Sequence, residues 1–140
     1  MQIDDSAHVP DWASTVHSAL DEKMGLVLTE LTPDSVRGSM PVEGNTQPIG
    51  LWHGGASGVL IETLCSLGSA AHGYPDKVAV GVDLNVTHIH AVRSGRVHGH
   101  ARALRHGRRV VNWQVDLTDD DGRLVAVGRL TCQLVAAPTK

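Results

Sequence analysis

The stretch "QPIGLWHGGASGVLIETLCSLGSAAHGYP", residues 47–75, decides the fold. It holds one formal charge, Glu62, in a run otherwise built from apolar and small residues. Residues 55–71 contain no proline and suffice for several turns of helix. Val59, Leu60, Leu64 and Leu67 line one side, while alanines, glycines and serines fill much of the rest. A helix this poor in charge on every face is one that the rest of the protein surrounds. A carboxylate buried there without a partner costs roughly several kcal/mol. Glu62 therefore either reaches water or belongs to a site.

The flanks supply what would surround such a helix. Residues 11–23 fit a short amphipathic helix, with Asp11 as N-cap, Trp12, Val16 and Leu20 four apart, and Gly25 as its end. Residues 24–31 and 35–42 read as two strands around a Thr-Pro-Asp turn. Beyond the long helix, residues 78–86 alternate, with Val78, Val80, Val82, Leu84 and Val86 expected on one face. A turn at Ser94-Gly95 leads into residues 96–104. Residues 110–118 alternate again, Val111, Trp113, Val115 and Leu117 against Asn112, Gln114, Asp116 and Thr118. "DDDG", residues 119–122, is a hairpin turn, and residues 123–135 return. The order α-β-β-α-β-β-β-β, with four hairpin-linked strands, implies an α+β protein whose curved antiparallel sheet wraps around a central helix. No repeat or linker divides the chain, so residues 1–140 are expected to form a single domain, with 1–23 as an N-terminal extension carrying the short helix.

Composition narrows the function classes. The hydrophobic fraction is 41% and the charged fraction 19%, those of a soluble globular protein. With no Phe, the core must come mainly from Val, Leu and Ala. A net charge of −3 gives no overall pull toward nucleic acid. Locally the picture differs: Arg93, Arg96, Arg102, Arg105, Arg108 and Arg109 make up half of the 12 Lys plus Arg, and no acid lies between Asp83 and Asp116. No apolar run reads as a membrane span. The acidic N-terminus does not resemble a signal peptide, and Cys65 and Cys132 form no CxxC pair. A cytoplasmic protein is expected.

The helix entrance carries the chemistry. His53-Gly54-Gly55 opens the helix, where glycine lets a substrate approach the backbone and the first N–H groups lack internal partners. A carbonyl oxygen there would find an oxyanion hole. Glu62 follows about two turns on, and Ser66 at i+4 shares its face. The set suits attack on an acyl carbon, by Glu62 or by water that it activates. His88 and His90, with His98 and His100, raise a metal alternative. A two-residue turn at Ser94-Gly95 would put the two pairs on opposite faces, whereas a three-residue turn would bring all four together.

The run "QPIGLWHGGASGVLIETLCSLGSA" resembles the hotdog-fold acyl-CoA thioesterases, in the branch of the phenylacetate-pathway and Arthrobacter-type 4-hydroxybenzoyl-CoA enzymes. The likeness continues through "GVDLNVTHIHAVRSGRVHGHARALRHGRRVVNWQVDLTDDDGRLVAVGRLT" and covers roughly residues 20–135. It implies hydrolysis of an aromatic or medium-chain acyl-CoA to free acid and coenzyme A. By position, Glu62 matches the catalytic carboxylate, as nucleophile or general base. Gly54 matches the backbone N–H that polarises the carbonyl. Gln47 and His53 match polar groups at the thioester and leaving thiolate, and Ser66 an assisting hydroxyl. Gly81, His88, Ile89, His90, Ala91 and the run Arg105, His106, Gly107, Arg108, Arg109 and Val110 match contacts on the coenzyme A side, where arginines suit phosphates. No metal or separate cofactor is implied. The likeness further implies a homodimer sharing its sites, commonly paired into a homotetramer, and neither nucleic acid nor membrane as partner. The same fold also serves enoyl-CoA hydratase-like enzymes and non-hydrolytic acyl-CoA binders, which are the alternatives.

Overall fold

The structure is a computed structural model and describes residues 1–137. Its central element is helix α2, Gly54–Gly73, which packs on the inner face of a seven-stranded sheet. The strands are β1 (Gln2–His8), β2 (Val27–Leu31), β3 (Ser35–Pro41), β4 (Lys77–His88), β5 (Arg96–His106), β6 (Val110–Thr118) and β7 (Leu124–Ala136). They lie in the order β1-β2-β3-β5-β6-β7-β4, with β1 parallel to β2 and every other pair antiparallel. Close seating of α2 requires glycine: a Cβ on Gly68 would fall 2.4 Å from the Trp113 ring. Trp113 is fully buried, and its indole N–H donates to Ser69 Oγ at 2.8 Å. Leu60, Ile61, Leu64 and Cys65 of α2 complete this core against Val36, Val97, Val115 and Leu117.

Four sequence expectations change. The helix expected over residues 11–23 is two pieces, a 3-10 turn (Asp11–Thr15) and helix α1 (Ala19–Met24). Ser14 and Thr15 donate their hydroxyls to the carbonyls of Asp11 and Trp12, which favours a local turn over continued helix. Ser18 then restarts the chain by accepting from the Asp21 N–H at 3.3 Å. The break exchanges inside for outside: Leu20 is 53% exposed, whereas Asp21 is only 5% exposed. Gly25 ends α1 as expected, at φ +70°. Strand β1 was not foreseen, because "QIDDSAH" places only Ile3 and Ala7 toward the protein.

The third change concerns connectivity. β4 pairs with β7, and β5 pairs with β3, so β4 and β5 are not a hairpin. Residues 89–95 are a crossing segment, held when Trp52 N–H donates to the Val92 carbonyl at 2.8 Å and with Val92 buried. The four-histidine arrangement therefore does not form. His98 hydrogen-bonds Asp120 and His100 hydrogen-bonds Ser35, while His88 and His90 sit at the far end of β4. Among the described residues no group of three or more His, Cys, Asp or Glu is placed to hold a metal.

The fourth is a β-bulge at Val82. Gly81 opposes Cys132 and Asp83 opposes Thr131, leaving Val82 unpaired. The strict alternation expected for residues 78–86 is broken there. Val78 and Val80 lie opposite outward Val135 and Gln133, whereas Leu84, Val86 and His88 lie opposite the inward Leu130, Gly128 and Ala126. One added residue thus swings the second half of β4 toward α2. Among the described residues no helix is long and apolar enough to cross a membrane.

Candidate active site

The entrance of α2 is set by backbone hydrogen bonds. Thr46 bridges Trp52, and residues 47–50 close a turn in which Gln47 N–H donates to Leu51 O at 2.8 Å and Gly50 N–H donates to Gln47 O at 2.9 Å. Gly50 takes φ +75° there. Asn45 holds the loop in place, donating to the carbonyls of Met24 and Pro41 and accepting from His53 N–H on its own carbonyl. His53 caps the helix: its Nδ1 accepts from Gly55 N–H at 2.8 Å, so the ring proton sits on Nε2. Gly54, the first helical residue, has no carbonyl four residues back to meet its N–H. A Cβ on Gly54 would lie 2.9 Å from His88 Nε2, so glycine lets that ring rest on the helix end. Gln47, Gly54, His88, Ile89, His90 and Ala91 line one cavity of about 340 Å³.

Glu62 lines a different cavity, of about 490 Å³, together with Asp21, Thr63 and Ser66. Its carboxylate lies against β4 at Gly81, where a Cβ would fall 2.0 Å from Oε1. Glu62 is half-buried, and no described residue pairs with it by salt bridge or hydrogen bond. Beside it, the Thr63 hydroxyl donates to the buried Asp21 carboxylate at 2.8 Å. Cys65 of α2 and Cys132 of β7 are buried free thiols. Burial, then the neighbouring Cys132 and Glu62, push the Cys65 thiol well above its ordinary range. Burial also raises Cys132, partly opposed by hydrogen bonds from the Ser69 and Ser66 hydroxyls. Both thiols are buried, and neither lines the Glu62 cavity. The more accessible carboxylate in this cavity is that of half-buried Glu62, since Asp21 is buried.

A family model described as the thioesterase superfamily matches residues 49–126, the span that carries both cavities' α2 and β4 residues. The chain belongs to the thioesterase superfamily. It is 39% identical over 108 residues to the proofreading thioesterase EntH of Klebsiella pneumoniae, covering 76% of this chain and 79% of that one. It is 38% identical over 103 residues to the 1,4-dihydroxy-2-naphthoyl-CoA hydrolase of Escherichia coli, covering 73% and 76%. Its fold matches the crystal structure of a thioesterase from Haemophilus influenzae with a TM-score of 0.83, 31% identity, and coverage of 88% and 87%. This thioesterase accordingly has the hotdog fold, and its reaction class is thioester hydrolysis.

The fold of the thioesterase gathers some of the expected site residues and separates others. Gln47, Gly54 and His88 to Ala91 meet in the entrance cavity, and His53 caps the helix beside it. Glu62, Ser66 and Gly81 meet further along α2, where the helix still faces β4. Gly54 and Glu62 are about 12 Å apart along the axis at ~1.5 Å per residue. Arg105 to Val110 form the β5–β6 turn, beside the start of β4, where Lys77 Nζ donates to Arg108 O at 2.6 Å. His88 lies at the other end of β4, about 36 Å away at ~3.3 Å per residue. His106 in that turn is bound to Asp34 at 2.9 Å. Arg96 and Arg102 are occupied by Ser39 and Asp116, whereas Arg105, Arg108 and Arg109 are exposed. Sequence reasoning missed Asp21 and Thr63 in the Glu62 cavity. The available signal was Ser18 with an acid three residues on, a capping pattern that resets the phase of α1.

Proposed function

We propose that the chain is an acyl-CoA thioesterase whose working unit is a homodimer, with Gly54, Gln47 and His53 of one copy acting opposite Glu62 and Ser66 of the other. The observation that carries this reading is the division of one chemistry between two cavities of a single chain. The means of joining them is β4. It is the last strand of the sheet, so among the described residues one edge of its twelve residues has no neighbour. Val78, Val80, Val82 and Leu84 are exposed on it, Val82 to 56%. A long apolar edge of this kind calls for cover. Antiparallel pairing of β4 with a second β4 sets the start of one strand beside the end of the other. It would bring the Arg105 to Val110 turn of one copy near His88 to Ala91 of its partner, and each Glu62 toward the partner's helix entrance. Arg105, Arg108 and Arg109 then face the phosphates of coenzyme A.

In the proposed reaction, the thioester oxygen accepts from Gly54 N–H, which stabilises negative charge as it develops. Glu62 either attacks the carbonyl carbon or takes a proton from the attacking water. The C–S bond breaks, and the thiolate, stabilised by a hydrogen bond from His53 Nε2–H, takes up the proton that Glu62 drew from water, or one from solvent, and leaves as free thiol. After direct attack, water then cleaves the mixed anhydride to release the acid and restore Glu62. Single turnover in heavy-oxygen water separates the two roles of Glu62, since direct attack puts label into the protein. The shared site is tested by mixing two inactive chains, E62Q and Q47A, and following thiol release. Random pairing makes half of the dimers mixed, and each mixed dimer rebuilds one of two sites, so about a quarter of the wild-type rate returns. A mixture as inactive as its parts overturns the shared site. Full activity of E62Q alone overturns the role of Glu62. Light scattering on the eluted protein distinguishes the dimer from the homotetramer expected for such a chain.

A further inference from the structure

The Glu62 cavity has a shape that the reaction alone does not require. Glu62, Ser66, Ala70 and Tyr74 recur every four residues and all line it, so it follows one stripe of α2. From Glu62 to Tyr74 that stripe runs about 18 Å along the axis at ~1.5 Å per residue. The Glu62 end is polar, with Asp21, Thr63 and Ser66; beyond it the walls are mainly Leu67, Ala70, Val16, Val78 and Ala79, with Lys77 beside them. At the far end two rings stack, Trp12 on Tyr74, with centroids 5.3 Å apart and planes 13° from parallel. The rings come from separate parts of the chain, the 3-10 turn and the C-cap of α2.

Trp12 differs from the other tryptophans. Trp52 and Trp113 are buried, and each donates its N–H to a serine hydroxyl, Ser57 and Ser69. Trp12 is half-buried and has no such bond among the described residues, and Tyr74 is 59% exposed. Trp12 packs against the edge of the core, and both rings line the Glu62 cavity.

We propose that the Trp12–Tyr74 stack is the end stop of a channel for an extended, unbranched acyl chain and sets the longest acyl group this enzyme accepts. The inference rests on the proposed role of Glu62, because it takes the reacting carbonyl to lie at that end. A long, largely apolar groove fits a straight chain better than a compact ring, and a chain that reaches the stack meets two aromatic rings. Specificity is then a matter of length, decided by two residues that never touch the reacting atoms.

The test follows thiol release from straight-chain acyl-CoAs, butanoyl to hexadecanoyl, for wild type, W12A, Y74A and E62Q. Wild type should rise in kcat/KM with chain length and then fall. W12A and Y74A should move the fall to longer chains, raising the long-to-short ratio of kcat/KM by about tenfold or more at the first length that wild type rejects. Tyr74 is exposed, so Y74A gives an informative answer even if W12A fails to fold. Length profiles of a folded Y74A that superimpose on wild type overturn the end stop while leaving the hydrolysis reading intact. Preference of wild type for benzoyl-CoA over every straight chain also overturns it. Undiminished turnover by E62Q is a different result and removes the premise about Glu62.

Discussion

The two cavities along α2 hold their functional groups by opposite means. At the helix entrance the working group is backbone, the N–H of Gly54, and the 47–50 turn, the Asn45 clamp and the His53 cap fix the main chain around it. Around Glu62 the work is done by side chains, and the carboxylate itself is left without a partner beside a glycine. The difference is chemical. A group that stabilises developing negative charge should be rigid before the reaction, and main-chain donors fixed by neighbouring hydrogen bonds are the stiffest available. A base must exchange protons or make bonds, so a carboxylate locked in a salt bridge would be a poor one.

Two glycine substitutions test that contrast most strongly. G81A sets a Cβ 2.0 Å from Glu62 Oε1, and the carboxylate must swing away. A displacement of about 1 Å costs roughly 100-fold in rate, so kcat should fall by that order with the melting midpoint little changed. G54A sets its Cβ 2.9 Å from His88 Nε2, a ring at the end of a side chain that can yield. Its loss in kcat/KM should be about tenfold or less, because the Gly54 N–H is retained. Equal losses in the two variants would erase the distinction between a backbone-built and a side-chain-built half.

G68A acts on both halves together. Its Cβ would sit 2.4 Å from the Trp113 ring and 2.8 Å from Val36, so α2 must lift from the sheet. Overpacking of this kind destabilises by about 1–3 kcal/mol, measurable by urea denaturation. If stability is unchanged, the seat of α2 is looser than the geometry states. The smallest effect lies away from both cavities, at His100. Burial first, then the cations of Arg37 and Arg102, hold its pKa below the usual 6.5. The folded state therefore disfavours the protonated ring, so stability is full above pH 6.5 and declines as pH falls toward the folded value. The melting midpoint of H100Q should fall less on acidification than that of wild type. A parallel fall in both would assign the acid sensitivity to other groups.

Much of the architecture was legible in local pattern. The charge-poor run gave α2 away, and the alternation of residues 110–118 matches β6, whose Val111, Trp113, Val115 and Leu117 are all buried. The Gly25 end of α1 and the "DDDG" turn, with Gly122 at φ +79°, followed from backbone chemistry that is local by nature. The failures are equally specific. Five alternating apolar residues in 78–86 suggested one face, and a bulge at Val82 divided them between two. Trp12, Val16 and Leu20 suggested one helix, and two hydroxyls ended it early.

From the amino-acid order alone came α2 and the strands that follow it, the lone carboxylate of α2 and the glycines before it, because each depends on residues a few positions apart. Only the tertiary structure decided that β4 lies beside β7 and ends the sheet, that Asp21 faces inward, and that Glu62 and Gly54 open into separate cavities. Those outcomes depend on contacts between segments distant in the chain, where a single unpaired residue reverses which side chains meet.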